Sequence, residues 1–267
     1  MTTLSTGAEL GRVKITVTTA DGSLLTVQRK HPSGRILPVR GMDQAPLSGG
    51  SFIGWDYEAP INVPVVYIAT TWADPDTVIG VSTPAPITWT TPNEWLKDPL
   101  EPIRNMTVNI SDMSSYGYDT PTGVLTVLGR PEPVTVGQVR RAATGDVTFL
   151  TLNQEERDRL HYITASGHVL LLQSTQESGV GSMYIALMGV TENRVLPQRD
   201  EQERYFTVSY QEVAAPVGAG APFSTWQDVI DQYPTWQAVI DANTSWFSLI
   251  ENLGTTTAPP ILAWRGA

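Results

Sequence analysis

Cysteine is absent from this 267-residue chain, which excludes disulfide scaffolds, thiolate metal sites and cysteine nucleophiles. Charge is scarce as well: Asp, Glu, Lys and Arg make up 16% of the residues, against roughly 25% in an average soluble protein. Basic residues are the shorter half, 17 against 27 acidic, for a formal net charge of -10. Gripping a phosphate backbone takes clustered Lys and Arg, so specific nucleic-acid binding is not expected. Histidine occurs only at positions 31, 161 and 168. His161 and His168 are seven apart, with Gly167 between them and no third ligand nearby, so no metal site is expected. No apolar run approaches the length that spans a bilayer. Residues 1–12 lack the apolar core and cleavage-like site of a signal peptide, so no membrane is expected and synthesis in the cytoplasm is. Nucleophile-elbow, zinc-protease, phosphate-loop and dinucleotide-binding motifs are all missing. These absences together lead to the expectation of a protein that is not an enzyme and uses no cofactor.

What fills the chain instead is Thr, Val, Gly and Pro, the composition of pleated strands joined by turns. Residues 13–19 alternate apolar and polar, Asp21-Gly22 reads as a hairpin turn, and the alternation resumes at Leu24–Gln28. Residues 31–50 are rich in Pro and Gly. Strands are expected near 65–70, 77–81 and 85–90, giving an N-terminal immunoglobulin- or fibronectin-like β-sandwich over residues 1–92. Residues 91–102, with three prolines, read as a linker. A second domain over 93–214 is expected to hold strands at 106–110, 123–127, 145–150, 168–173, 182–188 and 204–210. One helix, capped by Asn153 and stopped by Gly167, should lie among them. The fold class is therefore mainly β (α+β), with the second domain a split β-barrel carrying one helix. Residues 215–267 form a linker and a C-terminal extension. In it Thr225-Trp226, Thr235-Trp236 and Ser245-Trp246 recur every ten residues, each followed by a Val-Ile or Leu-Ile pair. Each unit reads as a capped helical turn with Trp and the aliphatic pair on one side. Units so short need something to pack on.

Few residues invite chemistry. Asp56 and Glu58 share a strand face, the minimum a two-carboxylate hydrolase requires. With Trp55, Tyr57 and Trp72 around them they also resemble a sugar-binding platform, and a strand edge at an interface fits the same pattern. Arg130, Arg140 and Arg141 flank Leu128–Pro133, either as solubilising charge around a turn or as contacts between subunits, where Arg is enriched.

A family resemblance rests on short motifs that together cover nearly the whole chain. Val39–Asp43, Trp55–Pro60 with Val63–Tyr67, and Trp95–Leu100 resemble the N-terminal part of minor tail proteins of siphophages that infect actinobacteria. Leu128–Pro131, Thr144–Val147 and the helix at Glu155–Leu160 are similar to the ring-forming domain of phage distal tail proteins, and the Trp repeat resembles that of the minor tail proteins. The resemblance implies a tail-tube-like barrel that assembles as a homo-oligomeric ring, most often a hexamer, as a component of the virion. Tube protein, tape-measure protein and hub or fibre proteins would be its neighbours at the tail tip. It brings no catalytic residues. The expected interface residues are Trp226, Trp236, Trp246, Trp55, Tyr57, Arg130, Arg140 and Arg141. The alternative is a carbohydrate- or receptor-binding module built on the N-terminal sandwich.

Overall fold

The computed structural model describes residues 2–47, 49–113, 116–126, 128–198, 201–218, 229, 230, 233, 235–243, 246, 248 and 249. The protein is mainly β, with 47% of residues in strands. Two compact units are interleaved along the chain. Unit 1 comprises Met1–Thr107, Leu171–Ser182 and the described part of Pro216–Ala267; unit 2 comprises Val108–Leu170 and Met183–Ala215.

Unit 1 opens with β1 (Thr3–Glu9), β2 (Arg12–Thr18), β3 (Leu24–Lys30), β4 (Ile36–Pro38), β5 (Ala45–Pro46), β6 (Ser51–Asp56), β7 (Val66–Asp74), β8 (Thr77–Ser82) and β9 (Glu94–Lys97). One antiparallel sheet runs β1-β2-β6, and a second runs β4-β3-β7-β8 with β5 also on β3. Strict alternation explains the layering. Val13, Ile15 and Val17 of β2, Leu25 and Val27 of β3, and Tyr67 and Ala69 of β7 are all buried in one core shared by both sheets. Asp21-Gly22 is consequently not a hairpin turn. Strands β2 and β3 belong to different sheets, and Gly22, at φ +122°, turns the chain from one layer to the other.

Residues 85–90, expected as a strand, form none. Pro84 and Pro86 cannot donate to a ladder, and what remains is a single bridge between Val65 and Ile87. Residues 91–102, expected as a linker, contain β9. Its Trp95, Leu96 and Lys97 are buried, and it pairs antiparallel with β15 through Leu96–Leu172 and Lys97–Leu171. The apolar residues of β9 outweigh its flanking prolines.

Beyond β9 come β10 (Met106–Asp112), β11 (Tyr116–Tyr118), β12 (Thr122–Leu125), β13 (Val134–Gly137), β14 (Ala143–Thr151), α1 (Gln154–Thr164), β15 (Leu170–Gln173), β16 (Met183–Arg194) and β17 (Arg204–Val213). In unit 2 the long antiparallel run is β16-β17-β14, and the other side of β14 is shared by β11 and β10. Val147, Phe149, Phe206 and Val208 are buried. Helix α1 starts where the Asn153 side chain accepts a hydrogen bond from the Glu156 amide at 2.9 Å. It ends before Gly167 at φ +71°, and buries Leu160 and Ile163.

In the C-terminal segment Thr235 caps α2 (Trp236–Ala242), its hydroxyl accepting from the Ala238 amide at 3.2 Å. Val229, Val239 and Leu249 form a small core with Tyr233 against it. Trp and the aliphatic pair do not share a side: Val239 is 7% exposed, whereas Trp236 and Ile240 are 60% and 65% exposed. At about 100° per residue Ile240 lies about 40° to one side of Trp236 and Val239 about 60° to the other, so a contact centred on Val239 leaves Trp236 and Ile240 toward solvent.

Candidate interaction surface and buried charge network

The most exposed apolar surface of unit 2 is a two-stranded ribbon. Strands β12 and β13 pair antiparallel from Thr122–Gly137 to Leu125–Val134. The ladder continues at its base through the amide of Gln138 to the carbonyl of Pro121, that of Arg141 to Asp119, and the Tyr118–Ala143 pair of β11 and β14. From Tyr116 to Leu125 this makes an arm about 30 Å long at the usual rise per residue. Every residue of β12 and β13 is exposed. Val124 (61%), Leu125 (57%), Leu128 (104%), Val136 (57%) and Val139 (90%) project from it. An isolated two-stranded ribbon is marginal in water, and its aliphatic side chains have no core of their own among the described residues.

All three expected interface arginines lie on this arm. Arg130 is exposed near its tip. Arg140 sits 4.0 Å over the Tyr118 ring, and Arg141 pairs with Asp119 at 3.3 Å. Residues 116–142 hold those three arginines against two acids, Asp119 and Glu132, a net +1 (3 − 2) in a chain of net -10. Of the tryptophans, Trp236 and Trp246 are 60% and 64% exposed, and Trp226 lies outside the described residues.

Trp55 and Tyr57 belong to a different setting. Trp55 is buried; its indole donates to Glu9 at 3.2 Å, and the Arg12 guanidinium lies 5.0 Å over its ring. Tyr57 and Trp72 are half-buried, so the three form no exposed row. The crevice lined by Val39, Arg40, Trp55–Glu58, Pro99 and Pro102 has about 10 Å³ of space for water, the room of a single molecule. Asp56 and Glu58 are both committed. Asp56 is ion-paired to Arg29, accepts from the Tyr67 hydroxyl at 2.8 Å and from the Glu58 amide at 2.9 Å. Glu58 is gripped by Arg40 at 2.9 and 3.2 Å. Arg40 in turn donates to the carbonyls of Pro216 and Gly218 at 2.9 and 2.7 Å, fixing the start of the C-terminal extension on unit 1.

Burial opposes the charge on Arg29, but Asp56, Tyr67 and Glu58 together outweigh it and the pKa is raised. Burial, and then the Asp56 charge, raise that of Tyr67. Lys97, which nothing in the sequence marked, is fully enclosed. Its ammonium donates to the carbonyls of Gly11 at 2.7 Å and Tyr57 at 2.8 Å, and lies 4.7 and 5.4 Å from the Trp89 and Trp95 rings. Burial pushes its pKa down to about 7, against the opposing pull of Asp56 and Glu58. The network ties β1–β2, β6 and β9 together from within.

Compared with known proteins, the chain matches no protein-family model. No curated protein matches it significantly either.

Proposed function

We propose that this chain is a structural subunit of a siphophage tail tip, a distal or minor tail protein that assembles as a ring joining the tail tube to the hub or receptor-binding apparatus. The observation that carries the reading is the arm of β12 and β13. It is a ribbon of exposed valines and leucines whose outer edges are unpaired among the described residues, weakly basic on an otherwise acidic chain. Such a ribbon is stable when a neighbour covers it, and a second copy supplies both apolar surface and opposite charge. The motif resemblance supplies the setting: the virion, with tube, tape-measure and hub or fibre proteins as neighbours. The glycan-binding alternative has less support, because Trp55 is buried and the crevice beside it has room for one water. Light scattering of the purified chain across a dilution series tests the reading, alongside a variant in which residues 120–140 are replaced by a two-residue turn. The full chain is expected to give a ring-sized particle and the arm-deleted chain a much smaller one with unchanged β content. A wild-type protein that stays monomeric at every concentration would refute it.

A further inference from the structure

The units of the C-terminal repeat hide the same position and show the same two. Counted from its Trp, the residue three on is buried in every unit: Val229, Val239 and Leu249 make the small core of the segment. The Trp itself and the residue four on face outward wherever they are described, with Trp236, Trp246, Ile230 and Ile240 each more than half exposed. Trp226 and Ile250 lie outside the described residues. A segment folding for its own sake would bury its largest apolar side chains and leave smaller ones outside. This one does the reverse at a period of ten residues, and an exposed apolar face of that kind marks a contact surface. Its charge is of one sign. From Trp226 to Glu251 there are four acids, Asp228, Asp231, Asp241 and Glu251, and no Lys or Arg.

We infer that this Trp-Ile face is the socket for the β12–β13 arm of a second copy, so that each chain holds one neighbour's arm and lends its own to the next. The inference rests on the reading of the chain as a ring subunit and supplies what a ring requires. Copies meeting arm to arm would close as a dimer, whereas a ring takes two different, complementary patches on every chain. Register makes one side of the arm the apolar one. Leu125 opposes Val134 and Gly123 opposes Val136; opposed residues share a face and the pleat repeats every two, so these four lie together. Thr122 and Thr135 lie on the other face. Gly123 brings no side chain, and a Cβ there would meet nothing nearer than the Val136 carbonyl at 3.8 Å. The notch beside Val136 is therefore open to an incoming flat ring, and an indole is the largest the chain has. Charge matches too. The arm's Arg130, Arg140 and Arg141 outnumber its acids, while the socket carries acids alone, and arginine also stacks on indole faces. A second arm would offer this one neither acids in excess nor tryptophan.

Because the chain has no cysteine, the contact can be read by placing one on each face. Val136 and Ile240 are both exposed, so full-length Val136→Cys and Ile240→Cys chains are expected to fold. Mixed and treated with a short bis-maleimide, they are expected to give a cross-linked dimer at several times the yield of either alone. A chain carrying both substitutions is expected to give a ladder of dimer, trimer and larger species, because every copy then links at both ends. In light scattering, Ile240→Lys is expected to lower the particle mass as the arm deletion does. A mixture that cross-links no better than its components would overturn the inference, as would a double variant that stops at a dimer or closes within one chain, or an Ile240→Lys particle of wild-type mass. Failure to cross-link together with flotation of the full chain on phosphatidylcholine vesicles would give the face to a bilayer instead. Ring-sized wild-type particles without the cross-link would remove this contact and leave the tail-tip reading standing; a wild type monomeric at every concentration would remove both.

Discussion

Replacing Lys97 by Met removes a buried amine while keeping the length of its side chain. In the folded protein the ammonium is enclosed, with a pKa pushed down to about 7; in the unfolded chain it titrates near 10.4. Between those values the unfolded state holds the proton more firmly. Stability of the wild type therefore rises with pH across that window, and the penalty is fully present below about pH 7. The whole difference is about 3 pKa units, of order 4 kcal/mol at about 1.4 kcal/mol per unit. Between pH 6 and pH 9 it amounts to about 2–3 kcal/mol. The variant has no such term. It carries a pH-independent cost instead: the carbonyls of Gly11 and Tyr57 lose their donor, at about 1–3 kcal/mol for each acceptor left unsatisfied.

Urea unfolding of both proteins at pH 6, 7.5 and 9, followed by tryptophan fluorescence, isolates the titration. Groups not coupled to Lys97 contribute equally to the two curves. The stability difference between wild type and Lys97→Met is expected to shift by about 2–3 kcal/mol from pH 6 to pH 9, with the variant relatively better off at pH 6. A difference constant to within about 0.5 kcal/mol over that range would mean that the two carbonyls and the two indole faces hold the charge as well as water does. The argument from burial would then fail.

Two further substitutions probe the same unit. Asp56→Asn keeps the shape but leaves Arg29 buried without its counter-charge; a loss of about 3–5 kcal/mol is expected, read as a lower urea midpoint with unchanged slope. Gly11→Ala places a Cβ 2.7 Å from the Trp95 ring on a residue at φ +78°. A loss of about 1–3 kcal/mol is expected, with a changed near-ultraviolet tryptophan signal because the ring has to move.

Period-two alternation located β2, β3 and β7, and the capping chemistry of Asn153 with Gly167 located α1, because each signal is local. Where the reading went astray, the deciding partner was remote. Asp-Gly specifies a turn with positive φ but not whether the next strand rejoins the same sheet, and β3 left β2 for β7, some forty residues on. Trp95-Leu96-Lys97 sits among prolines and looked like a linker. It is a buried strand because Lys97 meets Gly11 and Tyr57, 86 and 40 residues away in sequence. The Trp repeat was legible as a period and as a cap at Thr235, but not in its orientation. Only the contact of Val239 with Val229 and Leu249 decides which side of a short amphipathic turn faces inward. The three arginines were marked as a group without their element, since β13 (VTVG) is too short to announce itself.

The distribution of polarity is the common thread of the candidate surfaces. A chain with few charges places Arg29, Asp56, Lys97 and Asp98 in its interior, where each must be matched by a partner, and leaves Val, Leu and Ile outside on β8 and on the β12–β13 arm. For an isolated molecule that arrangement is unfavourable on both counts: desolvation of the buried ions costs several kcal/mol, and the exposed aliphatics forgo about 25 cal/mol per Å² of unburied apolar area. The second cost falls when other subunits cover the arm. The first remains in any assembly, but it holds β1–β2, β6 and β9 in one rigid arrangement. Loosening the network through Lys97 or Asp56 should therefore lower the urea midpoint of unit 1, although neither residue lies at its surface.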